Sequence, residues 1–118
     1  IFIDAIADAG VKVIYLHARK AWLSGLSPKE NREIPPLNYG RAYRLKQRRP
    51  DLEIYLNGGL VTAEDAVDEM KRFDGVMIGR AAYKSPYILS EISSLFYNRA
   101  PVSLLYLMQK MTDYAKAA

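Results

Sequence analysis

Three clusters hold the residues of this chain whose types and spacing could do chemistry. Asn57 is followed by Gly58 and Gly59, and Gly79 is followed by Arg80. Glycine carries no Cβ, so an anion can come close to its backbone N–H, and a neighbouring arginine can add a bidentate charge. A phosphate monoester suits such a pair of loops, although a Gly-Gly pair also makes an ordinary tight turn. The third cluster lies in the polar, basic stretch from His17 to Tyr39, HARKAWLSGLSPKENREIPPLNY. His17 is the only histidine, and its imidazole could hydrogen-bond a cofactor or substrate, or serve a purely structural contact. Arg19, Lys20, Lys29 and Arg32 supply cationic donors, while Trp22, Leu23 and Leu26 give the stretch apolar side chains with which to order itself. Trp22 could stack on a base or anchor its own loop. A long connection without helix or strand periodicity is usually functional or disordered, and this composition favours function.

Apolar patterning supplies the scaffold that must position these clusters. Phe2, Ala5, Ile6 and Ala9 fall at helical spacing, with Gly10 as a C-terminal cap. VKVIYL, residues 11–16, reads as a strand that delivers His17 at its end, and its nearly continuous apolar character predicts burial on both faces. From Tyr39 to Arg48 the period is helical, with Tyr39, Ala42 and Tyr43 on one side and Arg41, Arg44 and Arg48 on another. LEIYL, residues 52–56, is a second strand running into Asn57-Gly58-Gly59. Thr62 caps the next helix, with Ala66, Val67 and Met70 as its apolar positions. GVMI, residues 75–78, is a third strand and ends in Gly79-Arg80. Ser85 as N-cap and Pro86 at the first helical position predict a helix that buries Ile88, Leu89, Ile92, Leu95 and Phe96. Asn98 to Pro101 reads as a boundary, after which Val102 to Ala115 is helical again and presents Leu104, Leu105, Met108, Met111 and Tyr114 on one side.

Helices alternating with strands predict an α/β fold with a parallel sheet and right-handed crossovers. The G-x-G-x-x-G turn of a dinucleotide-binding sheet is absent. Glycines instead sit at two successive strand ends, as where the closing strands of a TIM (β/α)8 barrel make a phosphate site. The three strands are therefore expected to be about strands six to eight of such a barrel.

The 118 residues are half apolar and a quarter charged, the profile of a globular protein. There is no cysteine, so disulfides, thiolate metal sites and a cysteine nucleophile are excluded within these residues. Asp4, Asp8 and the carboxylates of the third helix show no spacing that gathers metal ligands, so no metal site is expected. No run approaches the roughly 18 apolar residues that cross a bilayer, and no signal-peptide pattern is present, so a cytoplasmic protein is expected. The net charge of +4 is unevenly spread: residues 11–50 carry ten Lys or Arg against Glu30 and Glu33, a local +8. Polyanions are the partner this implies, unless the cations only keep a helix face soluble. A first residue other than Met, within a helical pattern, suggests an excerpt from a longer polypeptide.

The motifs HARKAWLSGLSPKENREIPPLNY, LNGG and DGVMIGRAAYKSPYIL closely resemble the tRNA-dihydrouridine synthases, and among them the dihydrouridine synthase A subfamily, over nearly the whole chain. The resemblance implies an enzyme that uses flavin mononucleotide (FMN) and NADPH to reduce a D-loop uridine of tRNA. It places His17 beside the FMN, and Asn57, Gly58, Gly59, Gly79 and Arg80 at its ribityl phosphate end. Lys29 and Arg32 match positions that contact tRNA. The family's proton-donating cysteine and its flavin-facing lysine lie on earlier barrel loops, and neither motif is in this sequence. Residues 1–98 would then be the C-terminal part of the barrel and residues 99–118 the start of a helical tRNA-binding domain. Alone, such a piece is expected to be inactive and to self-associate through exposed barrel edges. Two other readings stay open. An FMN barrel acting on a small pyrimidine-like substrate leaves the basic block unused, and a non-catalytic RNA-binding module leaves the glycine loops unused.

Overall fold

Three short runs rich in Ile, Leu, Val and Tyr pair in parallel, in the order β1 (Val13–His17), β2 (Glu53–Asn57), β3 (Gly75–Met77). The computed structural model describes residues 2–20, 24–32 and 35–118, with Arg32 in its backbone only. The register sets Ile14 beside Ile54, Leu16 beside Leu56 and Leu56 beside Val76. Period-two alternation turns these residues to one face, where Ile54 and Leu56 are wholly buried. Ala18, Ala42, Leu45, Leu52 and Phe73 complete this core, with Ile3, Ile6, Ala7, Tyr39 and Tyr43 packed against it.

Helices cover that face. In α1 (Phe2–Asp8) the inward side is Ile3, Ile6 and Ala7, whereas Phe2 and Ala9 point to solvent, so the face inferred from Phe2, Ala5 and Ala9 is rotated by about one position. Gly10 caps α1 at φ +106, with its own N–H on Ala7 and that of Val11 reaching the Ile6 carbonyl, the pairing of a Schellman end. In α2 (Tyr39–Arg48), Asn38 caps the start by accepting the Arg41 N–H. Arg48 and Arg49 both reach Asp4 of α1, at 3.1 and 3.2 Å, and so tie the two helices together. Arg48 is thereby a structural partner, while Arg41 and Arg44 remain exposed.

The opposite face of the sheet carries Val13, Tyr15, Glu53, Tyr55 and Met77, and Val13 and Tyr15 are 45% and 63% exposed. Burial of β1 on both faces is therefore not found among the described residues, because the helices pack on one side only. Tyr15 and Tyr55 stack at 4.9 Å, and Tyr55 lies over Gly75, where an added Cβ would come within 2.6 Å of its ring.

The helix α3 (Ala63–Met70) starts at Thr62, whose hydroxyl accepts the Asp65 N–H, and it packs against α5 (Ile88–Tyr97). The chain between β3 and α5 departs from the sequence expectation. Arg80 opens a short helix, α4 (Arg80–Lys84), and Ser85 closes it rather than capping the next. Proline 86 holds the residue before it in an extended conformation, so α5 begins only after a turn at Pro86-Tyr87. In α5 only Ile88 is buried, and Leu89, Leu95 and Phe96 of the expected stripe are exposed. Asn98, left-handed at φ 50, ends α5, and α6 (Leu104–Ala117) follows. Leu104, Leu105, Met108, Met111 and Tyr114 of α6 stay exposed. No helix among the described residues is long and apolar enough to cross a membrane.

Candidate functional site

Parallel pairing puts the carboxyl ends of the three strands side by side, and that is where the candidate residues meet. His17 and Asn57 are the last residues of β1 and β2 and are register partners, and Asn57 also pairs with Met77, the last residue of β3. The segments that follow enclose a cleft of about 1000 Å³. It is lined by His17, by residues 57–64, by residues 77–81, and by Lys29, Lys84, Ser85, Ile88 and Glu91. Both glycine loops, the lone histidine and Lys29 thus share one space. Arg32 closes the 3-10 turn Glu30–Arg32 directly after Lys29, and its side chain, like Trp22, lies outside the described residues.

The two glycine loops are not alike. Gly58 and Gly59 have φ of +115 and +71, in the region that side chains disfavour. They are also crowded: a Cβ on Gly58 would meet His17 at 3.3 Å, and one on Gly59 would meet Leu37 at 2.3 Å. The backbone and Leu37 alone therefore demand glycine here. Gly79 differs, since an added Cβ would meet nothing within 4 Å and the position opens straight onto the cleft.

The basic stretch is sewn onto the end of β2. Ala18 donates to the Asn57 carbonyl, and Asn38 donates to the Ala18 carbonyl, both at 2.8 Å. Arg19 and Leu37 form an antiparallel bridge, and the Arg19 guanidinium donates to the Pro35 carbonyl. Tyr39 donates its hydroxyl to the Gly58 carbonyl. The middle of the stretch is held by a capping box: Ser27 N–H donates to Glu30 at 2.6 Å, and Glu30 N–H donates to the Ser27 hydroxyl at 3.2 Å. The Ser27 backbone N–H, followed by its hydroxyl, pulls the Glu30 carboxyl below its ordinary range.

Charge in the cleft is mixed, with Lys29, Arg80 and Lys84 facing Glu64 and Glu91. Backbone amides at glycine turns with nearby cations suit an anionic group, and the volume is at the upper end of the roughly 300–1000 Å³ typical of ligand pockets. Lys84 is a cleft residue that sequence reasoning missed. Its signal was the i, i+4 spacing from Arg80, legible only once a helix starts at Gly79. The capping box was likewise readable as S-x-x-E in SPKE. The exposed Arg41 and Arg44 of α2 do not line the cleft. Among the described residues no group of three or more His, Asp or Glu could hold a metal ion.

Parallel strands with glycine turns and cations gathered at their carboxyl ends define an α/β protein of the kind that receives ligands beyond its strand ends. Comparison with known proteins narrows this. The dihydrouridine synthase family model matches residues 1–116, and the chain belongs to that family. It is 47% identical over 116 residues, 98% of its length, to a tRNA-dihydrouridine(20/20a) synthase of Xanthomonas campestris pv. campestris, and covers 35% of that protein. Proteins of the same name from Xylella fastidiosa and Xanthomonas axonopodis pv. citri are 46% and 58% identical, over 98% and 75% of this chain and 34% and 26% of their own lengths. The chain thus spans about a third or less of these curated relatives.

Proposed function

We propose that these residues are the C-terminal part, about strands six to eight, of the TIM barrel of an FMN-dependent tRNA-dihydrouridine synthase, which reduces the C5–C6 double bond of a D-loop uridine with NADPH as reductant. Residues 1–98 belong to the barrel and residues 99–118 begin a helical tRNA-binding domain. A cytoplasmic location goes with this substrate. One observation supports the reading most: in a member of the dihydrouridine synthase family, both glycine loops, His17 and Lys29 line a single cleft at the carboxyl ends of parallel strands. The exposed sheet face with Val13, Tyr15 and Met77 is then the interior side of the barrel, which the remaining strands cover. Without them, that face and the outer edges favour self-association.

The residues present fit FMN by the chemistry of their donors. Asn57, Gly58, Gly59 and Gly79 offer close backbone approach, and Arg80 a fork of N–H donors, to the dianionic phosphate. His17, packed beside Gly58, hydrogen-bonds the flavin end of the cofactor. Held by these residues and reduced by NADPH, FMN would supply the two electrons that the uridine double bond takes up. Lys29 and Arg32, on the turn at the mouth of the cleft, hold tRNA phosphates and present the uridine to the pocket. A cysteine elsewhere in the polypeptide supplies the proton at C5.

The test is to purify the longer polypeptide, record its visible spectrum, and assay dihydrouridine in unmodified tRNA and in free uridine. Bound flavin with product in tRNA alone is expected. Absence of flavin would refute the cofactor assignment, and turnover of the free pyrimidine with no tRNA product would favour a small-molecule flavin enzyme.

A further inference from the structure

Tyr39 begins α2 and is half-buried, yet its hydroxyl is spent on the turn at the end of β2, donating to the carbonyl of Gly58. We propose that Tyr39 is a positioning residue for the anion-binding turn: by holding the Gly58 carbonyl it aims the Gly59 N–H into the cleft, where that amide receives a phosphate oxygen. The inference rests on the reading of Gly58 and Gly59 as the phosphate cradle of the cofactor.

No peptide bond among the described residues is cis, so the Gly59 N–H points opposite to the Gly58 carbonyl. Gly59 borders two spaces, the large cleft and a cavity of about 330 Å³ lined by Tyr39 and Leu37 together with Asp65, Asp68, Glu69 and Arg72. The Gly58 carbonyl is fixed on the hydroxyl of Tyr39, a residue that lines the smaller cavity and not the large cleft. The N–H opposite it is left to the large cleft, which Lys29 and Arg80 also line. Among the described residues nothing accepts a hydrogen bond from the Gly59 amide.

Such a peptide needs holding. It lies between two glycines with positive φ, the residues least able to resist rotation of the unit they flank. Rotation would bring the carbonyl round to the cleft, where it would repel an anion instead of binding it. Leu37, packed over Gly59, and the Tyr39 hydroxyl oppose this. Burial, together with Glu69 and Asp65, raises the ionisation of Tyr39 above its ordinary range, so the hydroxyl remains a donor throughout neutral pH.

The experiment compares dissociation constants for FMN and riboflavin, by flavin fluorescence, in the longer polypeptide and its Tyr39→Phe variant. Riboflavin keeps the ring and ribityl chain and lacks only the phosphate. The variant keeps the aromatic ring and loses one donor, so FMN binding is expected to weaken about three- to tenfold, the worth of one hydrogen bond, with riboflavin unchanged. A parent that binds both flavins equally would overturn the phosphate reading itself. A parent that prefers FMN, with a variant preferring it to the same degree or losing both flavins equally, would overturn the role of Tyr39 alone. Should Tyr39→Phe fail to fold, 3-fluorotyrosine placed at position 39 strengthens the donor without changing its shape. A raised preference for FMN then supports the role, and an unchanged or lowered one overturns it.

Discussion

Replacing Asp74 should expose how the end of the second crossover is held to the sheet. Its carboxylate accepts the Ile54 N–H at 2.8 Å and Lys46 Nζ at 2.6 Å, while its own N–H donates to the Ile54 carbonyl at 3.0 Å. In Asp74→Ala the N–H of wholly buried Ile54 loses a charged acceptor, at a cost of about 1–3 kcal/mol, towards the lower end because the Asp74 side is partly open to water. The ion pair adds less. Its side chains are 20% and 35% exposed, and a screened pair of this kind contributes about 0.2–1 kcal/mol. Asp74→Asn keeps an oxygen for Ile54 and loses only the charge, so it should cost about 1 kcal/mol or less, and alanine clearly more. Lys46, then the Ile54 N–H, hold the Asp74 carboxyl below its ordinary range. A lowered pKa in the folded state means that the stabilisation is complete above the unfolded value, about 3.9, and is lost as pH falls through the lower folded value. Urea denaturation followed by circular dichroism, at pH 7 and at pH 3, measures this. The gap between the natural protein and Asp74→Asn should shrink at pH 3. Equal losses for alanine and asparagine, or a gap indifferent to pH, would refute the assignment.

Other expectations can be checked with the same material. Gly59→Ala should destabilise by at least about 1–2 kcal/mol, because the methyl takes a positive φ and strikes Leu37. Gly79→Ala, with open space around it, should leave the melt within about 0.5 kcal/mol and weaken FMN binding; equal melts for the two would contradict the described turn. Tyr43→Phe removes the hydroxyl that donates to buried Glu69 at 2.7 Å and should cost about 1.5–3 kcal/mol, and a denaturation midpoint that does not move would show the pair to be inert. For Lys29→Ala, the slope of log affinity for tRNA against log salt should fall by about one, and an unchanged slope removes Lys29 from the tRNA surface.

The elements differ in how much of them could be read beforehand. The bounds of α2 were legible to the residue from the stripe of Tyr39, Ala42 and Tyr43 and the following Pro50, whereas its Asn38 cap emerged only in the structure. Strand centres were legible too, but β1 and β2 end one residue later than their apolar runs, since a strand end is set by the partner's hydrogen bonds and not by side-chain polarity. The helix α4 was missed because Ser85-Pro86 is a strong start signal, and the restriction that proline places on the preceding residue outweighed it. The exposed faces of α5 and α6 show the same limit, since periodicity marks which residues need covering without naming the surface that covers them.

For the candidate site, amino-acid types and order were enough to single out His17, Lys29, Arg32, Asn57 to Gly59 and Gly79-Arg80, and the motifs they sit in led to the dihydrouridine synthase family. That much is local, since a glycine permits close approach and a cation carries its charge wherever the chain leads. Only the tertiary structure decided that His17, Lys29 and both glycine turns share one cleft, that Arg48 turns to Asp4, and that Tyr39 reaches across to Gly58. These are contacts between residues far apart in sequence, and parallel pairing of strand ends brings them together. A one-dimensional pattern records what each residue can do, while neighbours across the fold settle what it does.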